Sequence, residues 1–454
     1  MIKNKSRDEL TAFKMNLEER VLERIKPSAK ETKGILDTAE RLKKKVASCL
    51  KDYEYDIKVM LVGSVAKGTF LSDPDLDVFL MFPENVPRDE VVKIGLAVGE
   101  DVVHGDKMYA EHPYICGRFD GLDADIVPCY AIKDTTKLMS AVDRTPFHTE
   151  YIISHTDERL RDEIRLLKVF MSGIGTYGAE PNTRGFSGYL CETLTIYYGG
   201  FLNVIKAAAE WKEGVSIALE KRGPAMLGPM VLYDPVDPRR NVASAVHIDT
   251  FATFIAACKS YIEEPSEKFF FPSERIPLTE QELRDRSNGR GSRLVTVMFE
   301  RPDINTDNLY SQIWKTRYAL TRKLDSYDFN VLRAVHDMTG KKIIIVFELE
   351  RDMLSKTFKH IGPPVWVRSS ASFLAKWKDN EFGGPFIDEG QWNVVAERRH
   401  RYVTEMLSDE VPVAGIGRDI IPETLELLGH DESFTSVDKN LLMELLEPKH
   451  PWEV

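Results

Sequence analysis

At 454 residues the chain is longer than one hydrophobic core usually organises, so roughly two to four domains are expected. Its 43% apolar and 29% charged residues are those of an ordinary globular protein, no apolar run is long enough to cross a membrane, and the opening MIKNKSRDEL lacks the apolar core of a signal peptide, so a cytoplasmic protein is expected. The net charge of -11 does not exclude RNA: residues 406–454 hold eleven acidic residues against three basic, whereas 281–335 carry ten basic against seven acidic.

In chain order, ELTAFKMNLEERVLERI and KGILDTAERLKKKVASCL repeat apolar residues three and four apart with Pro27 between them, which predicts two helices. DIKVMLVG and LDVFLMF are short runs rich in Val, Leu and Phe that read as strands, and YICGRFDGLDADIVPCY reads as a hairpin turning near Asp120-Gly121. Helices on a small mixed sheet therefore fit residues 1–150. From Asp157 the helical period returns with Leu160, Ile164, Leu167 and Met171 on one stripe, and GYLCETLTIYYGGFLNVIKAAAEW reads as a second long helix, so 151–272 is expected to be mainly helical. FFFPSERIPLTEQEL marks the next boundary. Over 273–454, SRLVTVMFERPD and GKKIIIVFELE read as strands with a helix between them in NLYSQIWKTRYALTRKLDSY. The fold class is α+β and multidomain. Cys49, Cys116, Cys129, Cys191 and Cys258 are widely spaced, odd in number and form no C-x-x-C pair, so they are expected to be reduced and structural.

The chemistry begins in LVGSVAKGTFLSDPDLDVFLMFP, Leu61 to Pro83, where Gly63-Ser64 and then Asp75-Leu76-Asp77 interrupt an apolar segment. Alternate strand residues share a face about 6.6 Å apart, so Asp75 and Asp77 would project together and repel. A pair of divalent cations relieves that repulsion and serves nucleotidyl transfer, and an all-oxygen ligand set favours Mg²⁺. A third carboxylate is sought in GLDADIVPCY: Asp123 adjoins the turn, whereas Asp125 is flanked by Ile126 and Val127 and is the choice. An isolated D-x-D is more often a solvated strand edge. Gly63-Ser64 shifts the balance, because glycine lets a phosphate approach the backbone, Ser64 and turn N–H groups can bond its oxygens, and Lys67 adds a cation. GIGTYG, Gly173 to Gly178, fits G-x-G-x-x-G literally but follows a helical stretch rather than a strand, so it is expected to end a helix and position Tyr177.

This pattern resembles the polymerase-beta-type nucleotidyltransferase superfamily. AVDRTPFH, EIRLLKVFMSGIGTYGAE, TRGFSGYLCE and DPVDPRRNVASAV resemble the long motifs of the archaeal, class I CCA-adding tRNA nucleotidyltransferases, and with the catalytic block they cover residues 60–250. The resemblance implies template-independent addition of C, C and A to the tRNA 3′ end from CTP and ATP in one active site, in tRNA maturation and repair. It implies that Asp75, Asp77 and Asp125 hold two Mg²⁺ ions, with Asp125 also orienting the 3′-hydroxyl. It further implies that Gly63, Ser64 and Lys67 bind phosphate, that His148, Lys168 and Tyr177 bind the triphosphate, and that Arg240 reads the base together with RNA phosphates. The family often has Glu at the position of Asp75 and arginine at that of Lys67; lysine keeps the charge but gives up bidentate geometry.

By the same resemblance, 1–150 is the catalytic head, 151–272 the nucleotide-recognition neck, and 273–454 the body and tail that grip the acceptor stem and T arm. In that last region the basic surplus and Tyr310, Trp314 and Tyr318 are candidates for RNA contact or for core packing, and the acidic end would face away from RNA or pack in a homodimer contact. A poly(A) polymerase would share the carboxylates but not the segments from His148 to Arg240, and a protein that only bound tRNA would have no reason to keep three mutually repelling acids.

Overall fold

Asn16 and Ser28 open the first two helices in the same way, each accepting the backbone N–H three residues on while that residue, Glu19 or Glu31, reaches back to the cap's own N–H. In the computed structural model of the protein, which describes residues 16–109 and 113–454, these helices are α1 (Leu17–Ile25) and α2 (Ala29–Cys49), separated around Pro27 as expected. Residues 9–15 of the first predicted helix lie outside the described residues.

There follow β1 (Lys58–Leu61), α3 (Gly63–Lys67), β2 (Leu76–Phe82), α4 (Arg88–Val103), β3 (Asp106–Tyr109), β4 (Pro113–Phe119) and β5 (Leu122–Tyr130). The five strands form one sheet in the order β1-β2-β5-β4-β3, mixed because β2 and β5 run parallel while the other pairs are antiparallel. The β4–β5 hairpin turns at Asp120 and Gly121, both at positive φ (48° and 90°), the backbone a two-residue hairpin turn demands. Leu42 and Val46 of α2, Val91 and Val98 of α4, and Val78, Leu80 and Ile126 of the sheet close a core over one face.

The next elements are α5 (Thr145–His155), α6 (Glu158–Gly173), α7 (Gly188–Tyr198), α8 (Phe201–Ala208), the parallel pair β6 (Val215–Ala218) and β7 (Met230–Tyr233), and α9 (Ile248–Glu263). Leu160, Ile164, Leu167 and Met171 are all buried. The long helix expected over 188–211 is instead two, α7 and α8. Gly199 takes a left-handed conformation (φ 80°) and its N–H caps Thr195, and Gly200 (φ 151°) starts α8 in a new direction. Two glycines free to leave helical φ override an apolar periodicity that runs through them. The core here is aromatic, with Phe170 edge-on to Phe201, Phe254 and Tyr261 and stacked on Phe269, which in turn stacks on Trp452. The described residues up to Glu274, joined by His450–Val454, form one compact unit, and Arg275–Lys449 form a second.

In the second unit, α10 (Glu280–Arg290), β8 (Arg293–Glu300), α11 (Thr306–Ser326), β9 (Val331–Met338), β10 (Lys342–Leu349), β11 (Thr357–Pro364), α12 (Ser370–Lys376), β12 (Phe386–Asp388), β13 (Gln391–Glu397), α13 (Val403–Glu410), β14 (Glu426–Leu428), α14 (His430–Ser436) and α15 (Lys439–Leu446) build two sheets, β14-β8-β10-β9 and β11-β13-β12. In the first, Val295, Val297, Ile343 and Ile345 pack with Leu320 of α11 and Leu407 of α13. The alternate residues Leu294 and Val346 pack with Leu283 of α10, Phe434 of α14 and Leu442 of α15. Burial on both faces explains why β8 and β10 read as continuous apolar runs. Tyr310 packs against the core, while Arg317 lies over Trp314 (4.1 Å) and Tyr318 (5.3 Å), which stack on one another along α11. Among the described residues no helix is long and apolar enough to cross a membrane.

Candidate active site

The parallel ladder between β2 and β5 sets Asp77 directly beside Asp125, with buried Leu76 and Val78 paired to Ala124 and Ile126 on either side. Asp75 is not on the strand as the sequence suggested; it is an exposed residue just before β2 begins at Leu76. Asp123, the carboxylate passed over, pairs with Arg118 across the hairpin at 3.0 Å. Burial, then the charges of Asp125 and Asp75, push Asp77 up to about 7, with Lys67 opposing. Asp75, though exposed, is raised by the partial loss of water around its carboxyl and by Asp123, and Asp125 is raised by burial and its acidic neighbours despite a hydrogen bond from the Cys116 thiol. Gly63 lies against this cluster at positive φ (69°): a Cβ there would overlap the Asp77 carboxylate. The backbone locks the same contact, since Val62 N–H donates to Asp77 O at 2.9 Å.

Gly63 is also the first residue of α3, which carries Ser64 and ends in Lys67. Arg165 on α6 holds the far end of this turn, donating from Nε to Phe70 O (2.9 Å) and from Nη2 to Gly68 O (2.6 Å). Lys67 and Lys168 are both buried, and they converge on one carboxylate, Glu192 of α7, at 2.8 and 3.0 Å. Thr69 completes the group, donating to Glu192 at 2.6 Å and accepting from Lys168 at 3.1 Å. Burial works against the Glu192 charge, but Lys168, Lys67 and the hydrogen bonds outweigh it and hold the carboxyl at about 2. Tyr177 follows the end of α6, as the reading of GIGTYG expected; its backbone N–H bonds Met171 O at 3.1 Å and the residue is 36% exposed. Its hydroxyl approaches Gly188 closely, 3.0 Å from where a Cβ would stand, and the Lys168 Nζ lies 3.8 Å from the same point.

His148 on α5 and Arg240 in the turn after β7 meet on a second buried anion, Asp234. His148 Nε2 and Arg240 Nη1 both bond Oδ2, at 2.8 and 2.9 Å, while Tyr189 Oη and Val236 N–H donate to Oδ1 at 3.3 and 3.1 Å. Burial favours neutral Asp234, yet these donors hold it below the usual carboxylate range; burial itself lowers His148. With Asp234 ionised, Nε2 carries the hydrogen that is shared. Tyr189 stacks on His148 (centroids 4.0 Å apart), and Lys67 Nζ lies 5.4 Å from the Tyr189 ring. A connected set of donors thus runs from Lys67 and Lys168 through Tyr189 to His148 and Arg240.

Glu192, Asp234, Tyr189 and Thr69 were not singled out from sequence. Glu192 had a local signal, as a lone acid inside the apolar GYLCETLTIYY. Asp234 had none beyond its motif, because its partner His148 is 86 positions away. Among the described residues no three His, Cys, Asp or Glu side chains close around a point as a metal cage. Asp75, Asp77 and Asp125 nevertheless fit divalent ions in their chemistry: they are all-oxygen ligands, and burial together with the charges of Asp125 and Asp75 already raises Asp77 to about 7. Such ions take their remaining ligands from water and phosphate.

Residues 43–148 match the family described as nucleotidyltransferase domain, 162–271 that of the tRNA nucleotidyltransferase second domain, and 290–426 that of the CCA-adding enzyme C-terminal domain. The chain is 38% identical to the CCA-adding enzyme of Methanosarcina acetivorans, over 90% of this chain and 92% of that protein. It is 36% identical to that of Halobacterium salinarum (88% and 87%) and 35% identical to that of Thermoplasma volcanium (88% and 90%). With the three matched families falling in the order of catalytic sheet, helical segment and second unit, and with relatives this similar over nearly their whole length, the chain belongs to the CCA-adding enzyme family.

Proposed function

We propose that this chain adds C, C and A, one at a time and without a template strand, to tRNA 3′ ends from CTP and ATP, with one site serving both nucleotides. The observation that carries the reading is the pairing of Asp77 with Asp125 across β2 and β5, with Gly63 packed on the Asp77 carboxylate. Asp75, Asp77 and Asp125 hold two Mg²⁺ ions. When bound, such ions neutralise charge on the α-phosphate and ease deprotonation of the attacking 3′-hydroxyl. Gly63 and Ser64, in the first turn of α3 beside Asp77, offer backbone N–H and hydroxyl to phosphate, and Lys67, Lys168, His148 and Tyr177 supply cations and donors for the rest of the triphosphate. Those groups are held before any ligand arrives, so little ordering is needed on binding. Arg240, anchored through Nη1 and with 35% of its side chain exposed, reads the base.

Residues 1–150 then act as the catalytic domain, 151–272 as the nucleotide-recognition domain, and 273–454 as the region that grips the acceptor stem and T arm. The Trp314–Arg317–Tyr318 stack on α11 and the basic surplus around it support that last assignment. A tRNA substrate assigns the work to the cytoplasm.

The test is incubation of the purified protein and Mg²⁺ with tRNAs ending before CCA, after C and after CC, each with one nucleotide. CTP is expected to enter on the first two and ATP on the third. Long A tails, or no incorporation, would remove the reading. Asp77→Asn should abolish incorporation with tRNA affinity largely retained.

A further inference from the structure

We propose that Asp234 is a positioning residue for nucleotide selection: its buried carboxylate fixes the Arg240 guanidinium and the His148 ring relative to one another, so that base reading and triphosphate placement share one anchor. This rests on the reading of Arg240 as the base-reading side chain.

Asp234 is fully buried and has both oxygens occupied, Oδ2 by His148 Nε2 and Arg240 Nη1, and Oδ1 by Tyr189 and Val236 N–H. The backbone closes the same loop, with Asp234 N–H donating to Arg240 O at 3.1 Å and Arg240 N–H to Asp237 O at 2.9 Å. An arginine selects a base only if its fork of donors is fixed in direction, since a freely rotating guanidinium suits the acceptors of every base. The fork here is fixed at one end by Asp234 and left partly open at the other. His148 is fixed by the same oxygen and by stacking on Tyr189, so a nucleotide whose base is misaligned on Arg240 also meets the triphosphate donors out of place.

The geometry specifies what an amide would do. In Asp234→Asn, one oxygen becomes an NH₂ group. Placed at Oδ2 it faces Arg240, which has no acceptor, and releases it; placed at Oδ1 it opposes Val236 N–H and disturbs the turn that carries Arg240. Either way Arg240 loses its fixed direction. Asp234→Glu keeps the charge and all four donors satisfied but shifts the anchor by one methylene.

The experiment measures kcat/KM for CTP against UTP on tRNA lacking CCA, and for ATP against GTP on tRNA ending in CC, in wild type, Asp234→Asn, Asp234→Glu, Arg240→Ala and the Asp234→Asn/Arg240→Ala double variant. Both Asp234 variants are expected to lose selectivity at least about tenfold, with the KM for tRNA unchanged. The double variant should be no less selective than Arg240→Ala alone, because the carboxylate acts through the arginine. Wild-type ratios in folded Asp234→Asn and Asp234→Glu, or an additive double variant, would overturn the inference. Unaltered ratios in Arg240→Ala would instead overturn the reading on which it rests.

Discussion

Gly63 has no room for a methyl group, because the Asp77 carboxylate occupies the place a Cβ would take. Gly63→Ala is therefore expected to displace the carboxylate rather than to unfold the protein: kcat falls by on the order of 10²-fold, the effect of moving a catalytic group by about an ångström, while far-UV circular dichroism is unchanged. Retained kcat would show that Asp77 need not stand there. Glu192→Gln removes the anion that Lys67 and Lys168 share, leaving two buried cations facing each other. We expect a lower melting temperature and a raised KM for both CTP and ATP, the loss of a buried ion-pair partner costing about 3–5 kcal/mol. An unchanged melting temperature would contradict the buried-cluster geometry.

Asp77 gives a pH dependence whose sign is fixed. Its folded value of about 7 lies above the ordinary 3.8, so folding favours the protonated form. The stability it contributes is complete below pH 3.8 and is lost as pH rises through about 7, on the order of 4 kcal/mol at most. Metal-free protein should lose stability over that window more steeply than its Asp77→Asn variant, and Mg²⁺ should raise the melting temperature more at pH 8 than at pH 5. Parallel pH profiles for the two proteins would refute the assignment. At this scale the sequence was legible where a residue type contradicts its surroundings, as Gly63, Asp77 and Asp125 do. It was silent on Asp234, whose buried charge answers His148, 86 positions away, as well as Arg240 six residues on.

At the scale of elements, β1, β2, the β4–β5 hairpin, β8, α11 and β10 were readable because their periodicity comes from burial on known faces. The break between α7 and α8 was not, because the apolar pattern continues across Gly199-Gly200 and only the backbone departs from it. Gly199 has φ 80°, and the nearest atom to where a Cβ would stand is Asn203 Nδ2 at 4.0 Å, an ordinary contact. Gly199→Ala should therefore cost about 1–2 kcal/mol through backbone strain alone, and Gly199→Asn less, as read from urea unfolding midpoints. Equal midpoints in all three proteins would mean that the left-handed cap is not needed. Strands β9 and β11 to β13 lack a sustained apolar run and escaped notice for that reason.

At the scale of the molecule, the first unit is not continuous in sequence: it takes up His450–Val454 after the whole of Arg275–Lys449 has intervened. Trp452, 8% exposed, stacks on Phe269 at 5.7 Å, and Phe269 stacks on Phe170 in the aromatic core. Trp452→Ala should destabilise that core by about 3–5 kcal/mol, seen as a lower melting temperature of the transition that also reports CTP binding. An unshifted transition would show the ring to be dispensable. Synthesis runs from the amino end, so the ring that completes the first unit's core leaves the ribosome after all of residues 275–449. A nascent chain holding every residue of the proposed site is thus still without part of its packing, and a message cut short before the codon for Trp452 yields a protein with those residues on an unfinished core.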